Sequence, residues 1–400
     1  MRLVETHNFK SNSKKFKELD LVLFKAKNIY NSILYIWKQT YIKENKFVSL
    51  KEMYNVIKNY ECYKQLPQNV STQVLKLTYQ NINSFFKAIK SYNKNSNKFS
   101  GKPKLPKYKD SIKGRVIAIY TTRVIRKKDF KKGKIQLTGL SFSIPTKIKN
   151  YNDLKQVRII PSLCSIKIEI VYNKQEKKII KNDKISAIDL GLNNLSTVCF
   201  NEHINKPFII NGKPLKSINQ YYNKIKSKLQ SKLRNNKKTS KKIIKLTNKR
   251  NNKIKDYLHK SSRYLVNQLV SKNISKLIIG YNQNWKQDIN IGKKNNQNFV
   301  NIPYLIYINQ LKYKCELEGI EILLNEESYT SKCSFIDQEE ICKKNIYDGK
   351  RIKRGLFKSK FGKLINADLN GSYNIMRKVV PDAFSKGIEG FVVSPKVISL

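Results

Sequence analysis

Acidic side chains are scarce in this 400-residue chain: Asp and Glu number 28 against 81 Lys and Arg, a formal net charge of +53. The basic excess runs along the whole chain instead of collecting in a tail, and like charge at that density repels itself unless a polyanion neutralises it. A membrane-surface protein would concentrate its charge on amphipathic basic helices, so nucleic acid is the partner this distribution fits. Long apolar runs are missing as well. No stretch approaches the roughly 20 residues of a membrane span, and Met1-Arg2-Leu3-Val4-Glu5-Thr6 lacks the apolar core of a signal peptide. The six cysteines, Cys62, Cys164, Cys199, Cys315, Cys333 and Cys342, show no pairing pattern, which predicts reduced thiols in an intracellular protein. What is present suffices for real cores: 40% of residues are hydrophobic, and the length has room for two to three domains of about 100–200 residues.

Two stretches carry carboxylates in settings suited to chemistry. In 184–195 a buried-strand pattern through Ile185, Ala187 and Ile188 ends at Asp189, and Gly191 follows as the turn. An acid on a rigid strand end can ligate a hard divalent cation and admit a phosphate, though the same residue also fits a turn that caps its own loop. Far downstream, in 366–375, Asp368 opens a helix whose apolar face continues through Tyr373, Ile375 and Met376. There it reads either as a second ligand or as a helix cap.

Taken in order, residues 1–10 predict a short strand. Phe16, Leu19, Leu23, Ala26, Tyr30, Ile33, Leu34 and Trp37 then recur at helical spacing, and a second helical block spans 70–92. The apolar stripes predict core, while lysines and tyrosines on the other faces can grip phosphates and stack on bases. Between 99 and 108 prolines and a glycine end the helix, and strand-like runs follow at 116–120, 135–137, 157–160 and 165–172. Lys102, Lys104, Lys107 and Tyr108 in that loop form either a backbone-binding element or a solvated linker. Further strands are expected at 185–189, 195–200 and 207–210. A helical hairpin over 216–273 should turn about Asn235-Asn236, its basic faces, with Lys216, Arg250 and Lys260, suited to a nucleic-acid duplex or to plain solvation. A strand over 275–279 ends at Gly280, and one over 320–324 runs into Asn325-Glu326-Glu327-Ser328-Tyr329.

Asp189-x-Gly191-x-x-Asn194-Leu195, Tyr329-Thr330-Ser331-Lys332-Cys333-Ser334 and Asn366-Ala367-Asp368-x-Asn370-Gly371-x-x-Asn374-Ile375 together resemble the split RuvC-type nuclease of TnpB. TnpB is the transposon-encoded, RNA-guided endonuclease related to the type V CRISPR effectors. Residues 212–219 and 255–260 resemble that family too, so the likeness covers nearly the whole chain. It implies an α+β multidomain fold: a wedge β-barrel over 1–12 and 99–180, with a helical recognition domain inserted at 13–98. An RNase H-like RuvC nuclease would follow over 181–329 and 362–380, with a helical hairpin inserted at 214–274 and a degenerate zinc-ribbon, target-loading loop at 330–361. The tail 381–400 carries no readable signal and is expected to be disordered.

The resemblance further implies a Mg2+-dependent endodeoxyribonuclease. It would take a guide RNA from the transposon end and cut double-stranded DNA beside a short flanking motif, at the nucleoid of a prokaryotic cytoplasm. The alternative is a nuclease-inactive, RNA-guided DNA-binding repressor. Two departures bear on the choice. Family members carry a catalytic glutamate where this chain has Gly280, so either the nuclease is dead or a neighbouring strand end provides the third acid. Glu327 is the first candidate, Glu326 the second and Asp288 the third, which makes Asp189, Glu327 and Asp368 the expected catalytic and Mg2+-binding set. The zinc ribbon is depleted as well: only Cys333 and Cys342 remain nearby, His259 is distant, and a structural zinc wants four ligands. No zinc is expected, with Phe335, Ile341, Leu356 and Phe357 packing the loop instead. The run 350–355, with Arg351 and Arg354, is positioned to touch phosphate.

Overall fold

The computed structural model describes residues 1–400 except 163, 235–236, 283–291 and 386, and gives 293–295 as backbone alone. The chain divides into two compact units, Met1–Lys174 and Gln175–Leu400.

In the first unit β1 (Arg2–Lys10) leads into α1 (Lys14–Glu44), α2 (Leu50–Ile57), the single turn α3 (Glu61–Lys64) and α4 (Gln68–Lys94). α1 buries Leu19, Leu23, Ala26, Tyr30, Ile33, Leu34 and Trp37, and α4 buries Val70, Val74, Leu75, Tyr79 and Ile82. These are the one-face stripes that 3.6-residue periodicity produces, and they pack on each other. Trp37 anchors the contact, its ring stacked on Tyr41 at 4.8 Å and edge-on to Phe86 at 5.9 Å. α2 begins with a reciprocal cap, in which Glu52 N donates to Ser49 Oγ and Ser49 N to Glu52 Oε2.

After α4 come β2 (Ala118–Thr121), the turn α5 (Lys127–Phe130), β3 (Lys134–Gln136), β4 (Ser143–Pro145), β5 (Leu154–Pro161) and β6 (Ser165–Asn173). Pairing among the described residues gives an open antiparallel sheet, β1-β6-β5-β2, and a separate β3-β4 ribbon. This differs from the closed barrel that the resemblance implies. Residues 122–130 coil into helical turns immediately after β2, which stops that strand after four residues. The isolated bridge Ile125–Leu137 and the bond from Thr138 Oγ1 to the Val124 carbonyl then tie this stretch to the end of β3.

The second unit contains β7 (Ile185–Asp189), β8 (Asn194–Phe200), β9 (Phe208–Asn211), α6 (Lys213–Gln230), α7 (Lys241–Ser271) and β10 (Lys276–Gly280). These are followed by α8 (Lys293–Val300), α9 (Tyr304–Glu318), β11 (Glu321–Asn325), β12 (Lys350–Lys353), β13 (Leu356–Lys358), β14 (Leu364–Asn366), α10 (Ala367–Val379) and β15 (Lys396–Ile398). A six-stranded sheet runs β11-β10-β7-β8-β9-β15. β7, β8 and β9 form an antiparallel meander, while β10 and β11 lie parallel to β7.

Both faces of the sheet are covered, which is why β7 and β10 read as nearly continuous apolar runs. Ile188, Leu277 and Ile279 join Leu258 and Leu265 of α7 and Tyr307 and Leu311 of α9. Ala187 and Ile278 face the other way, onto Leu369, Tyr373 and Met376 of α10. The tail, expected to be disordered, instead closes the sheet: Lys396 pairs with Phe208 and Ile398 with Ile210 in a parallel ladder. β9 otherwise ends the sheet with an unpaired row of N–H and C=O groups, and the tail satisfies it. The expected hairpin turn at 235–236 lies outside the described residues.

Candidate active site

Because β7, β10 and β11 are parallel neighbours, their C-terminal ends come to one edge of the sheet, with Gly280 opposite Asn325. Asp189 is the last residue of β7, Glu327 follows β11 by two residues, and Asp368 lies in the first turn of α10. α10 is held against the sheet by Ser372 Oγ, 3.1 Å from both the Ala187 and Thr197 carbonyl oxygens. It comes down so close that a Cβ at Gly371 would stand 3.0 Å from Asp189 Oδ2. Glycine therefore gives the carboxylate its room.

The remaining polar residues of 366–374 each have a task. Asn366 Oδ1 accepts from the backbone of Asp368 and Leu369 and so caps α10. Asn370 and Asn374 both donate to the Cys333 carbonyl, at 2.8 and 2.7 Å, and Asn370 Oδ1 accepts from Phe335 N at 2.9 Å. The motif at 366–375 thus grips the motif at 329–334.

Glu327 occupies the space that the missing side chain at 280 leaves open. A Cβ at Gly280 would meet Glu327 Oε2 at 2.7 Å and Ile375 Cδ1 at 2.6 Å. Asn282 clamps this acid from the end of β10: its Oδ1 accepts from Glu327 N at 3.0 Å, and its Nδ2 reaches Oε1 at 3.5 Å. Glu327 Oε2 is buried without a hydrogen-bond partner. Glu326 faces elsewhere, its carboxylate 2.8 Å from Lys378 Nζ. Asp288 lies outside the described residues. Asp368 is held at both oxygens, by Asn194 Nδ2 at 2.6 Å and by Arg351 Nη2 at 2.9 Å. Sequence reasoning did not single out Asn194 or Asn282 as carboxylate holders; Asn194 is part of the motif at 189–195, but nothing local marks Asn282.

The electrostatics follow from this crowding. Burial first, then the charges of Glu327 and Asp368, push the Asp189 carboxyl well above its ordinary value, against an opposing pull from Arg351. Burial, reinforced by Glu326, raises Glu327 to about 7. The lysine hydrogen bond, by contrast, keeps Glu326 below its ordinary value. Tyr304 Oη donates to the Gly191 carbonyl at 2.9 Å, and burial followed by Asp189 and Glu327 raises its phenol. The three carboxylates share one edge without being drawn around one point: among the described residues no group of three or more His, Cys, Asp or Glu has the spacing of a metal site.

The loop 330–361 is organised by a buried acid. Glu339, 3% exposed, accepts from Ser334 N at 2.8 Å and Asp348 N at 3.2 Å, and lies 3.4 Å from Lys344 Nζ. Phe335 and Phe357 join the core beneath α10, while Ile341 and Leu356 stay partly exposed. The Cys333 thiol donates to the Glu340 carbonyl at 3.4 Å.

The basic residues expected to meet nucleic acid fall into two groups. Lys102, Lys104, Lys107 and Tyr108 are exposed, and Lys260 is exposed with Asp256 at 2.8 Å. Arg354 is exposed beside the β12–β13 turn, and Arg351 reaches across to Asp368. Lys216 points at Asn193 Oδ1, 3.4 Å away. Arg250 is half-buried and internally committed, donating to Asn219, Asn251 and the Asn301 carbonyl and lying 5.5 Å from the Tyr222 ring. Its positive charge ties α6 and α7 to residue 301.

Residues 167–286 match the OrfB_IS605 family, a probable transposase, and residues 306–375 match the TNB domain of Cas12f1-like proteins. A Cas12f1 solved with its sgRNA and target DNA shares the fold at a TM-score of 0.54 and 16% identity, over 90% of this chain and 81% of that one. The mini RNA-guided endonuclease CRISPR-Cas-phi3 shares it at 0.50 and 12% identity, over 99% and 93%. No curated protein matches by sequence. The class is therefore a mixed α+β protein with the fold of these effectors. More narrowly, the two family matches, which together span less than half of the chain, make it similar to a transposase family in one stretch and to Cas12f1-like proteins in another.

Proposed function

We propose that this chain is an RNA-guided DNA endonuclease of RuvC type, with Asp189, Glu327 and Asp368 as its catalytic carboxylates. The observation that carries the reading is the placement of three acids along one sheet edge in a chain of net charge +53. Selection of a guide by base pairing, with the protein holding phosphates, suits so basic a chain. The first unit would read the flanking motif, and the transposon end would provide the guide. The described residues include no helix long and apolar enough to cross a membrane, and we place the protein at the nucleoid.

The donor chemistry suits Mg2+, though the three acids are not drawn around one point: hard carboxylate oxygens, one of them buried and unpartnered, beside an Asp189 whose charge its acidic neighbours oppose. When bound, Mg2+ would supply Lewis-acid polarisation of the phosphodiester. The chain's own residues do the positioning. Asn282 and Asn194 orient Glu327 and Asp368, Gly280 and Gly371 leave them room, and Arg351 stands at the rim where a phosphate would arrive. One observation favours a second reading, a repressor that binds but does not cut: Asp368 is already ion-paired with Arg351.

The deciding experiment purifies the protein with its own RNA and offers matching double-stranded DNA in Mg2+. Cutting beside a fixed flanking motif is expected. Tight guided binding with no cut in Mg2+ or Mn2+ would establish the repressor, and only heterogeneous RNA on the protein would refute the guide.

A further inference from the structure

Three tyrosines of the first unit are exposed: Tyr35 at 57%, Tyr60 at 46% and Tyr108 at 45%. They belong to α1, to the residue before α3 and to the basic loop, and they line one cavity of about 440 Å³ with Asn31, Ser32 and Ile36. That volume lies within the range of about 300–1,000 Å³ typical of small-ligand sites. The cavity is preset rather than loose. Asn31 bonds the Lys109 backbone in both directions at 2.9 Å, and Lys27 Nζ donates to the Ser111 carbonyl at 2.6 Å. Arg115 then grips Asp20 through two bonds of 2.7 Å. The loop carrying Tyr108 is thereby strapped to α1.

The surroundings are basic. Lys38 Nζ lies 4.5 Å from the centre of the Tyr108 ring. Tyr108 also lines an adjoining cavity of about 450 Å³ with Lys104, Lys107 and Lys109. No acidic residue lines either cavity. Aromatic faces beside a lysine track are the elements by which proteins hold single strands, the rings stacking on bases and the cations following phosphates. A paired base is already stacked on its neighbours, so only an unpaired base presents a free face.

We propose that the pocket of Tyr35, Tyr60 and Tyr108 stacks an unpaired base of the guide RNA, with Lys104 and Lys107 holding the adjacent phosphates. RNA is the commitment because, on the function proposed above, the guide carries unpaired bases before any DNA is bound, whereas the target DNA offers them only in the strand displaced after the guide has paired. The pocket's chemistry needs no cleavage step, so its test is separate from that of the nuclease.

The full chain is titrated with a short labelled oligouridine over a series of salt concentrations. Tyr108→Ala and Tyr35→Ala should each weaken binding about 5- to 150-fold, equivalent to about 1–3 kcal/mol of stacking per base, without changing the salt slope. Tyr108→Trp should restore affinity. Lys104→Ala with Lys107→Ala should weaken binding and also flatten the slope, by about 0.7 for each phosphate that is no longer neutralised. Unchanged RNA affinity in both tyrosine variants, with unaltered melting temperatures, would overturn the proposal. So would equal affinity for oligodeoxythymidine, weakened to the same extent by the tyrosine substitutions, which would assign the pocket to DNA. A dimer that Tyr35→Ala dissolves while RNA affinity stays constant would assign it to a second copy of the chain and overturn it as well. A chain that holds RNA through these rings yet never cuts DNA would refute the nuclease and leave the pocket standing.

Discussion

At the sheet edge, the space where a side chain at 280 would stand is taken by Glu327 from the next strand. In the loop 330–361, where resemblance to a zinc ribbon would call for four metal ligands, a single buried Glu339 ties together Ser334, Asp348 and Lys344. The two departures from the family pattern differ in what has to be conserved. On the function proposed here, only another carboxylate reaching the same place serves the chemistry, so the residue type is kept and its address changes. Where the need is a cross-link that holds a loop shut, any satisfied buried network serves, and a carboxylate accepting backbone N–H bonds is such a network. Burial raises Glu327 to about 7 with one oxygen unpartnered, whereas both oxygens of Glu339 have donors. One acid keeps an open oxygen and the other is fully bonded.

The sharpest way to break this contrast is to neutralise each acid. Asp189→Asn, Asp368→Asn and Glu327→Gln should abolish guided cleavage in a plasmid-cutting assay while guided DNA binding persists, and Glu326→Gln should cut near the wild-type rate. Cleavage surviving Glu327→Gln would return the search to Glu326. Asn282→Ala, which removes only the clamp, should slow cutting about 10- to 100-fold.

Glu339→Ala should instead act on stability, by about 3 kcal/mol in denaturant unfolding, because it leaves buried donors and a lysine uncompensated. Cys333→Ser with Cys342→Ser should cost within about 1 kcal/mol, and a chelator should leave the melting temperature in place. Stoichiometric zinc lost in that double variant would reverse the account of the loop. Gly280→Ala probes both quantities at once: its Cβ would press on Glu327 and Ile375, costing about 1–3 kcal/mol of overpacking and slowing cleavage. An unchanged rate there would show that Glu327 has room to move and is not set by the glycine.

A last effect concerns a buried charge that has no ion-pair partner among the described residues. Lys314 of α9 is 2% exposed, donates to the His259 carbonyl and Ser262 Oγ, and is lowered to about 8 by burial and by Arg263. Its unfolded value stays near 10.5, so between about pH 8 and 10.5 the unfolded chain binds more protons and stability rises with pH, by at most about 1.4 kcal/mol per unit. Lys314→Met should be free of this slope. The stability gap between the variant and wild type, read by denaturant midpoints at pH 7.5 and 9.5, should shift in favour of wild type as pH rises. A constant gap would show that Lys314 keeps an ordinary pKa.

Much of this was legible before any fold was known. The stripes of α1, α4 and α7, the strand ending at Asp189 and the helix opening at Asp368 are local patterns whose periods are set by backbone geometry, so the residues themselves declare them. The strand after 320 and its trailing glutamates could be named as the source of a third acid because parallel neighbours end on the same edge. Other features left no local trace. The tail at 396–398 has no period of its own and becomes a strand only because β9 offers an open edge. Arg250 looked like a phosphate ligand and is bonded to Asn219 and to the Asn301 carbonyl, since sequence shows charge but not which carbonyls lie within reach.

By itself, then, the order of amino acids determined the charge, the carboxylates at 189 and 368, and the elements that carry them, all properties of a residue and its near neighbours in the chain. Tertiary structure alone decided that Glu327 rather than Glu326 turns toward Gly280, that Asn282 and Asn194 hold the acids, and that Glu339 lies at the heart of the loop. These depend on contacts between residues from 5 to 174 positions apart, and the long-range ones exist only once strands and helices have packed.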